Sequence, residues 1–237
     1  MASYLLTRLL SLTDSAAANN SNSMSAASPR ILVLISGNGS NLQALIDASP
    51  PLPGTITHVL SNRRTAFGLE RAARAGIPTS YHNLLQYKTA HGGDDAAARA
   101  AYDADLARLI LAQSPDLVVC AGWMHILSPT ALDPLEAAGI DIINLHPALP
   151  GQFDGKDAIG RAWRAFQDGE ITCTGVMVHH VINAVDRGEP VLVREVEIRT
   201  GETVGELEER IHAVEHEMIV EGTRIVLEQR AERSNQK

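Results

Sequence analysis

Cysteine is nearly absent from the 237 residues: Cys120 and Cys173 are the only two, each inside an apolar run and neither at metal-ligand spacing. Two such residues cannot build a disulfide framework, and a reducing compartment fits them best. A basic excess is also missing. The formal net charge is −8, so no global field is available to hold nucleic acid or an acidic membrane surface, and a phosphorylated substrate has to be caught by local geometry. No apolar run reaches the roughly 18 residues that span a bilayer. Aromatic residues contribute only 4%, against 45% apolar and 20% charged, an ordinary globular balance at a length that supports about one to two domains.

Large apolar residues are scarce again between Leu12 and residue 29, where Ser, Ala and Asn dominate. Residues 1–29 read as a disordered extension. The opening MASYLLTRLLSL carries Arg8 among leucines and no acid before Asp14, a faint likeness to a mitochondrial presequence. A plain extension, with Met24 as an alternative start, is the preferred reading. Residues 30–231 are expected to form one domain, and residues 232–237 a disordered tail.

From residue 31 onward, strand and helix patterns alternate. ILVLIS (31–36) suits a strand buried on both faces, ended by Gly37, and NLQALIDA after it puts Leu42, Leu45 and Ile46 on one helical face. Residues 55–62 read as a strand, 67–75 as a helix stopped by Gly76, 77–81 as a short strand, 94–113 as an Ala-rich helix, and 117–122 and 140–146 as further strands. Residues 171–181 and 190–198 read as two strands joined by a loop, at least the last antiparallel. Residues 203–228 read as a long final helix with Thr203 as cap and Glu206 at the capping-box position. This order predicts an α/β fold: a mostly parallel twisted sheet wrapped by helices, Rossmann-like, with an antiparallel C-terminal part and a site at the carboxyl ends of the strands.

Four segments carry candidate chemistry. SGNGSN (36–41) is a Gly-rich turn between a strand and a helix, where backbone N–H groups can face an anion. It lacks the third glycine of a dinucleotide fingerprint, since Leu42 stands there, and the ending of a P-loop. Taken alone, a structural turn is an equally good reading. NLHPALPG (144–151) puts Asn144 and His146 on one face of a strand, an amide and an imidazole that can stabilise an oxyanion and trade a proton; the alternative is a turn-forming Asn and a hydrogen-bonded His. In VDRGEP (185–190), Asp186 is either a solvated turn acid or a partner that raises the pKa of His146. AGWMHILSP (121–129) is either core or the wall of an apolar pocket. Arg99 is a solvated or a carboxylate-anchoring cation. His212, Glu215 and His216 form H-x-x-E-H, but no ligand cluster is evident elsewhere, so no metal is expected. His179 and His180, adjacent on a strand, face opposite ways, one of them buried.

Taken together and in this order, LISGNGSNLQALID, SNRRTAFGLERAARAGIP, AYDADL, PDLVVCAGWMHILSP, INLHPALPG, VHHVINAVDRGEP and ERIHAVEHEMI closely resemble the phosphoribosylglycinamide formyltransferase family. The GWM and HPALPGQFDG variants look like its fungal branch. The resemblance implies transfer of a formyl group from 10-formyltetrahydrofolate, a co-substrate, to the amine of glycinamide ribonucleotide in purine synthesis. It implies a cytoplasmic enzyme, monomer or homodimer, with small-molecule partners and no metal, nucleic acid or membrane. It also implies roles: Asn144, His146 and Asp186 as the catalytic trio; Gly39, Ser40 and Asn41 on the substrate phosphate and Glu215 on its ribose; Arg99 on the folate glutamate; Met124, His125, Ile126 and Leu127, with Asn144, Ile182, Asn183, Ala184 and Val185, around the folate. Two departures stand out. His125 replaces an Arg common in relatives, and GQFDGKDAI replaces the commoner sequence after the His146 turn. Rival readings are formyltetrahydrofolate hydrolase, which usually carries an N-terminal regulatory domain; tRNA formyltransferase, which usually carries an extra C-terminal domain and a basic surface; a non-catalytic nucleotide-binding protein; and a nicotinamide-dependent oxidoreductase.

Overall fold

The continuous apolar run at residues 31–35 is explained by two hydrophobic cores that share one strand. In the computed structural model, which describes residues 28–50 and 52–236, β1 (Arg30–Ile35) is buried at all but its first residue. Its side chains alternate between faces. Ile31, Val33 and Ile35 meet Leu42 and Leu45 of α1 (Ser40–Asp47) and Leu207, Ile211 and Met218 of α7 (Val204–Asn235). Leu32 and Leu34 meet Tyr102, Leu106 and Ile110 of α4 (Asp95–Ala112) and Leu132 and Leu135 of α5 (Pro129–Ala137). Removing one such Leu side chain costs about 2–5 kcal/mol. The presequence-like opening and most of the N-terminal extension lie outside the described residues. Its last two residues do not: Thr55 N–H donates to the Pro29 carbonyl at 2.8 Å.

The remaining elements are β2 (Thr55–Ser61), α2 (Phe67–Arg74), β3 (Thr79–Tyr81), α3 (Leu84–Ala90), β4 (Leu117–Cys120), β5 (Asp141–His146), α6 (Ala158–Gln167), β6 (Cys173–His180) and β7 (Pro190–Glu197). Seven strands form one sheet in the order β3-β2-β1-β4-β5-β6-β7. The pairings from β3 to β5 are parallel; β6 is antiparallel to β5, and β7 is antiparallel to β6. The reversed strand is therefore β6, while β7 again runs with the parallel set. The chain leaves β1 toward β2 on one side and returns as β4 on the other. The loops after β1 and β4 diverge at that point and open a crevice.

The capping box expected at Thr203 and Glu206 is formed. The expected disordered tail is corrected: α7 continues to Asn235. The reason is electrostatic. Arg230 bonds Asp116 at 3.2 Å and Arg233 bonds Asp141 at 2.6 Å, which holds the end of the helix against the edges of β4 and β5. Among the described residues no helix is long and apolar enough to cross a membrane.

Candidate active site

The crevice is a cleft of about 680 Å³ at the carboxyl ends of β1, β4 and β5. Its first wall is the turn after β1. Gly39 sits at φ 73°, left-handed backbone, as the N-cap of α1, with no side chain bonded to the helix end. A Cβ at Gly39 would lie 2.6 Å from the Gly68 Cα, so glycine is required for two backbones to touch. Gly68 N–H donates to the Gly37 carbonyl, and Arg71 holds the Asn38 carbonyl and side-chain oxygen at 3.0 Å each. The turn is thus braced from outside, while the first N–H groups of α1 are left without a capping side chain, an arrangement suited to an anion. Asn41 Nδ2 donates to Glu215 Oε2 at 3.3 Å from α7. Burial raises the Glu215 pKa; the charge of His212 and the Asn41 bond work the other way.

The second wall follows β4. Ser36 Oγ accepts from Met124 N–H at 2.8 Å, and the Arg99 guanidinium donates to the Ile126 carbonyl while bonding fully buried Asp103 at 2.9 Å. Arg99 thereby ties the segment 124–127 to α4. Among the described residues, Met124 at 58%, Ile126 at 60%, Ile182 at 47% and Val185 at 36% belong to the few large apolar side chains left exposed, and all four line this cleft. Apolar surface left open in a concave site marks a ligand wall. His125 packs edge-on against Tyr102 and Trp123, and burial with the nearby Arg99 charge lowers its pKa. Its lowered pKa favours the neutral ring at this position.

The floor is the end of β5. Asn144 and His146 share a face, as their spacing predicts, and the loop between β6 and β7 folds Asp186 over them. Asn144 Nδ2 donates to Asp186 Oδ1 at 3.4 Å and lies 3.2 Å from His179 Nε2. His146 Nδ1 is 3.4 Å from Asp186 Oδ2, and its Nε2 is 3.2 Å from the Phe153 carbonyl. Asp186 itself stands at φ 53° and accepts from Gly155 N–H at 2.8 Å. Burial pushes the Asp186 carboxyl up. The hydrogen bond with the His179 ring, the Gly155 N–H and, once it is protonated, the His146 ring outweigh that and hold it below its ordinary value.

The electrostatics of His146 correct one expectation. Asp186 does favour its charged form, but burial weighs more and the net pKa is lowered. The ring rests neutral rather than cationic. With an acceptor at each nitrogen, it is built to take up a second proton when chemistry supplies one.

Gly39, Ser40, Asn41, Glu215, Arg99, Met124, His125, Ile126, Leu127, Asn144, His146, Ile182, Ala184, Val185 and Asp186 all line the one cleft. Asn183 does not. It borders a smaller hollow with Leu132 and Glu136. Sequence reading did not assign Ser36, Arg63, Trp123, Lys156, His179 or His212, which also line the cleft. For His212 a signal was present, since its three-residue spacing from Glu215 puts both on one helix face. His179 was half legible, as the buried member of its pair. Among the described residues no three His, Cys, Asp or Glu side chains group as a metal site would require.

A sequence profile described as formyl transferase matches residues 29–223. The phosphoribosylglycinamide formyltransferase of Schizosaccharomyces pombe is 58% identical over 195 residues, covering 81% of this chain and 93% of that one. The Saccharomyces cerevisiae enzyme of the same name is 48% identical over 211 residues, covering 84% and 98%. The crystal structure of glycinamide ribonucleotide transformylase 1 from Geobacillus kaustophilus, 36% identical, superposes with a TM-score of 0.73 over 84% of this chain and 98% of that one. The chain belongs to the formyl transferase family, among its phosphoribosylglycinamide formyltransferases.

Proposed function

We propose that this enzyme transfers the formyl group of 10-formyltetrahydrofolate to the amine of glycinamide ribonucleotide, with Asn144, His146 and Asp186 carrying the chemistry. The observation that supports it most is the cleft itself. One end offers an uncapped helix N-terminus beside Asn41 and Glu215, the other an apolar wall at Met124, Ile126, Ile182 and Val185, and the cluster lies between them. The ribonucleotide phosphate goes to the turn at 39–41, its ribose to Glu215, the folate ring to the apolar wall, and the folate glutamate toward Arg99.

In this arrangement the glycinamide nitrogen attacks the formyl carbon. A C–N bond forms and the carbonyl electron pair moves to oxygen. Asn144 turns its amide from Asp186 to donate to that oxyanion. Neutral His146 accepts the proton shed by the attacking amine and becomes an imidazolium, which Asp186 stabilises in place. The tetrahedral intermediate then collapses, its bond to the folate nitrogen breaks, and the His146 proton goes to that nitrogen, directly or through water. No covalent enzyme intermediate is needed. Burial raises the Cys120 thiol pKa to about 12 and also raises that of Cys173, so neither is an activated nucleophile. Cytoplasmic operation, as a monomer or homodimer, goes with this reading.

The test is an assay of 10-formyltetrahydrofolate consumption by purified enzyme, with and without glycinamide ribonucleotide. Consumption that depends on the ribonucleotide is the expected result. Equal consumption without it would make the enzyme a hydrolase. Inactivity with both, together with tight NAD(P) binding, would favour the oxidoreductase reading.

A further inference from the structure

Two loops meet over His146, and both are wound in unfavourable backbone. The segment 151–157 holds Phe153 at φ 48° and Asp157 at φ 55°; the segment 182–188 holds Asp186 at φ 53°. Left-handed conformations at non-glycine residues persist only where the surroundings impose them. The imposed contacts are visible. Gly155 N–H donates to Asp186 Oδ2 at 2.8 Å. Arg187 sets two nitrogens on one oxygen of Asp154, Nε at 2.7 Å and Nη2 at 2.6 Å. Arg161 donates to the carbonyls of Phe153 and Asp154. The other Asp154 oxygen, Oδ1, is buried without a partner, so among the described residues Arg187 is the only cation bonded to this carboxylate.

The position of this ion pair matters more than its strength. His146 depends on one acceptor from each loop, the Phe153 carbonyl at Nε2 and Asp186 Oδ2 at Nδ1. Asp154 directly follows the first acceptor in sequence, and Arg187 directly follows the second. Neither Asp154 nor Arg187 lines the cleft.

We propose that Arg187 and Asp154 are positioning residues, whose ion pair latches the loop bearing Phe153 to the loop bearing Asp186 and so holds both acceptors of the His146 ring. The inference rests on the reading of His146 as the proton carrier. The groups that bear on the ring are Asp186, His179, the Phe153 carbonyl and Asp154; all but His179 favour the charged form, and burial opposes it. Removing Arg187 therefore has two opposite effects. Loss of a nearby cation, by itself, favours imidazolium and raises the His146 titration. Release of the latch withdraws the Phe153 carbonyl and the Asp154 charge, and lowers it.

The experiment uses full-length enzyme labelled with ¹⁵N-histidine, with His146 assigned through His146→Gln, in the wild type, Arg187→Ala, Arg187→Lys and the exchanged pair Arg187→Asp/Asp154→Arg. In Arg187→Ala the latch predicts a His146 titration shifted to lower pH. It also predicts kcat reduced about tenfold, equivalent to about 1.4 kcal/mol, with both KM values within about twofold. The lysine and the exchanged pair are expected to restore most of kcat. A titration that rises or stays put, with kcat within about twofold of wild type, overturns the proposal. So does a folded exchanged pair that restores nothing. The titration needs no substrate, so a failed assignment of the formyl acceptor would show in the turnover assay and leave this result readable.

Discussion

Glu215→Gln should make the empty protein more stable and the enzyme worse. Glu215 is 6% exposed, and its carboxylate receives one long bond, from Asn41 Nδ2 at 3.3 Å. The oxygen of the same Asn41 side chain is buried with no donor. A glutamine has nearly the same shape, keeps an oxygen for Asn41 Nδ2, and brings an N–H₂ that can donate to Asn41 Oδ1. One hydrogen bond to a previously unsatisfied buried acceptor contributes about 1–2 kcal/mol. For a protein of this size that is a rise in Tm of roughly 2–8 °C. The pH dependence follows from the direction of the Glu215 shift. Burial raises its folded pKa above the ordinary 4.5, so wild-type stability is undiminished below that value and is lost as pH climbs through the folded pKa. The variant carries no such loss. Its advantage should be small near pH 4 and grow toward neutrality, as measured by thermal and guanidinium unfolding. Catalysis should move the other way. A ribose hydroxyl that donates to a carboxylate gains about 1.5–3 kcal/mol, so the KM for glycinamide ribonucleotide should rise about tenfold to a hundredfold. A variant that melts at or below the wild type near neutral pH, or an advantage that does not change with pH, would refute the reasoning.

Four further outcomes are expected. His146→Ala should lower kcat by about 10²–10⁴ with an unchanged far-UV spectrum. Because burial holds the His146 pKa below 6.5, the acid limb of the wild-type kcat profile should lie below that value, and Asp186→Asn should carry it lower still; an upward move would contradict the assigned electrostatics. Gly39→Ala puts a Cβ 2.6 Å from the Gly68 backbone at φ +73°, and should cost at least about 1–3 kcal/mol along with affinity for the ribonucleotide. Identical melting and an unchanged KM would show that the turn is not held as described. Ser36→Ala removes the acceptor of Met124 N–H and should raise the KM for 10-formyltetrahydrofolate roughly fivefold without touching that for the ribonucleotide; the opposite pattern would place the two substrates the other way round.

What could be read from the sequence depended on whether a segment buries a regular face. β1, β4 and β5 were legible because they are buried runs, and α4 and α7 because each is long and has a start signal, Asp94 and Thr203, whose side chains do cap them. Three helices went unread, each for a physical reason. α3 has no fully buried residue, and only Leu84 and Tyr87 lean on the core, too short a pattern to read as a helix. α5 begins at Pro129 and contains Pro134, which ordinarily argues against a helix. α6 follows Asp157 in left-handed backbone and has no side-chain cap to mark its start. At the site, Asn144 and His146 were paired by strand spacing alone. Their meeting with Asp186 was not readable, because it depends on a loop that doubles back after the reversed strand β6. The neutral resting state of His146 was not readable either, since charge pairing can be guessed from residue types while burial cannot.

The contact between Asn41 and Glu215 joins residues 174 positions apart, and this sets an order of events during synthesis. At roughly 5–20 residues per second a ribosome needs about 9–35 s to travel that distance. Throughout this interval β1, the turn after it and α1 are already made, while the helix that supplies Glu215 and covers the apolar face of α1 is not yet complete. The nascent chain must therefore shelter Leu42 and Leu45 without α7 for tens of seconds. It can acquire its proposed ribonucleotide site only after nearly all of its core has been translated, so a messenger truncated before the last helix would yield a sheet with an exposed face and no enzyme.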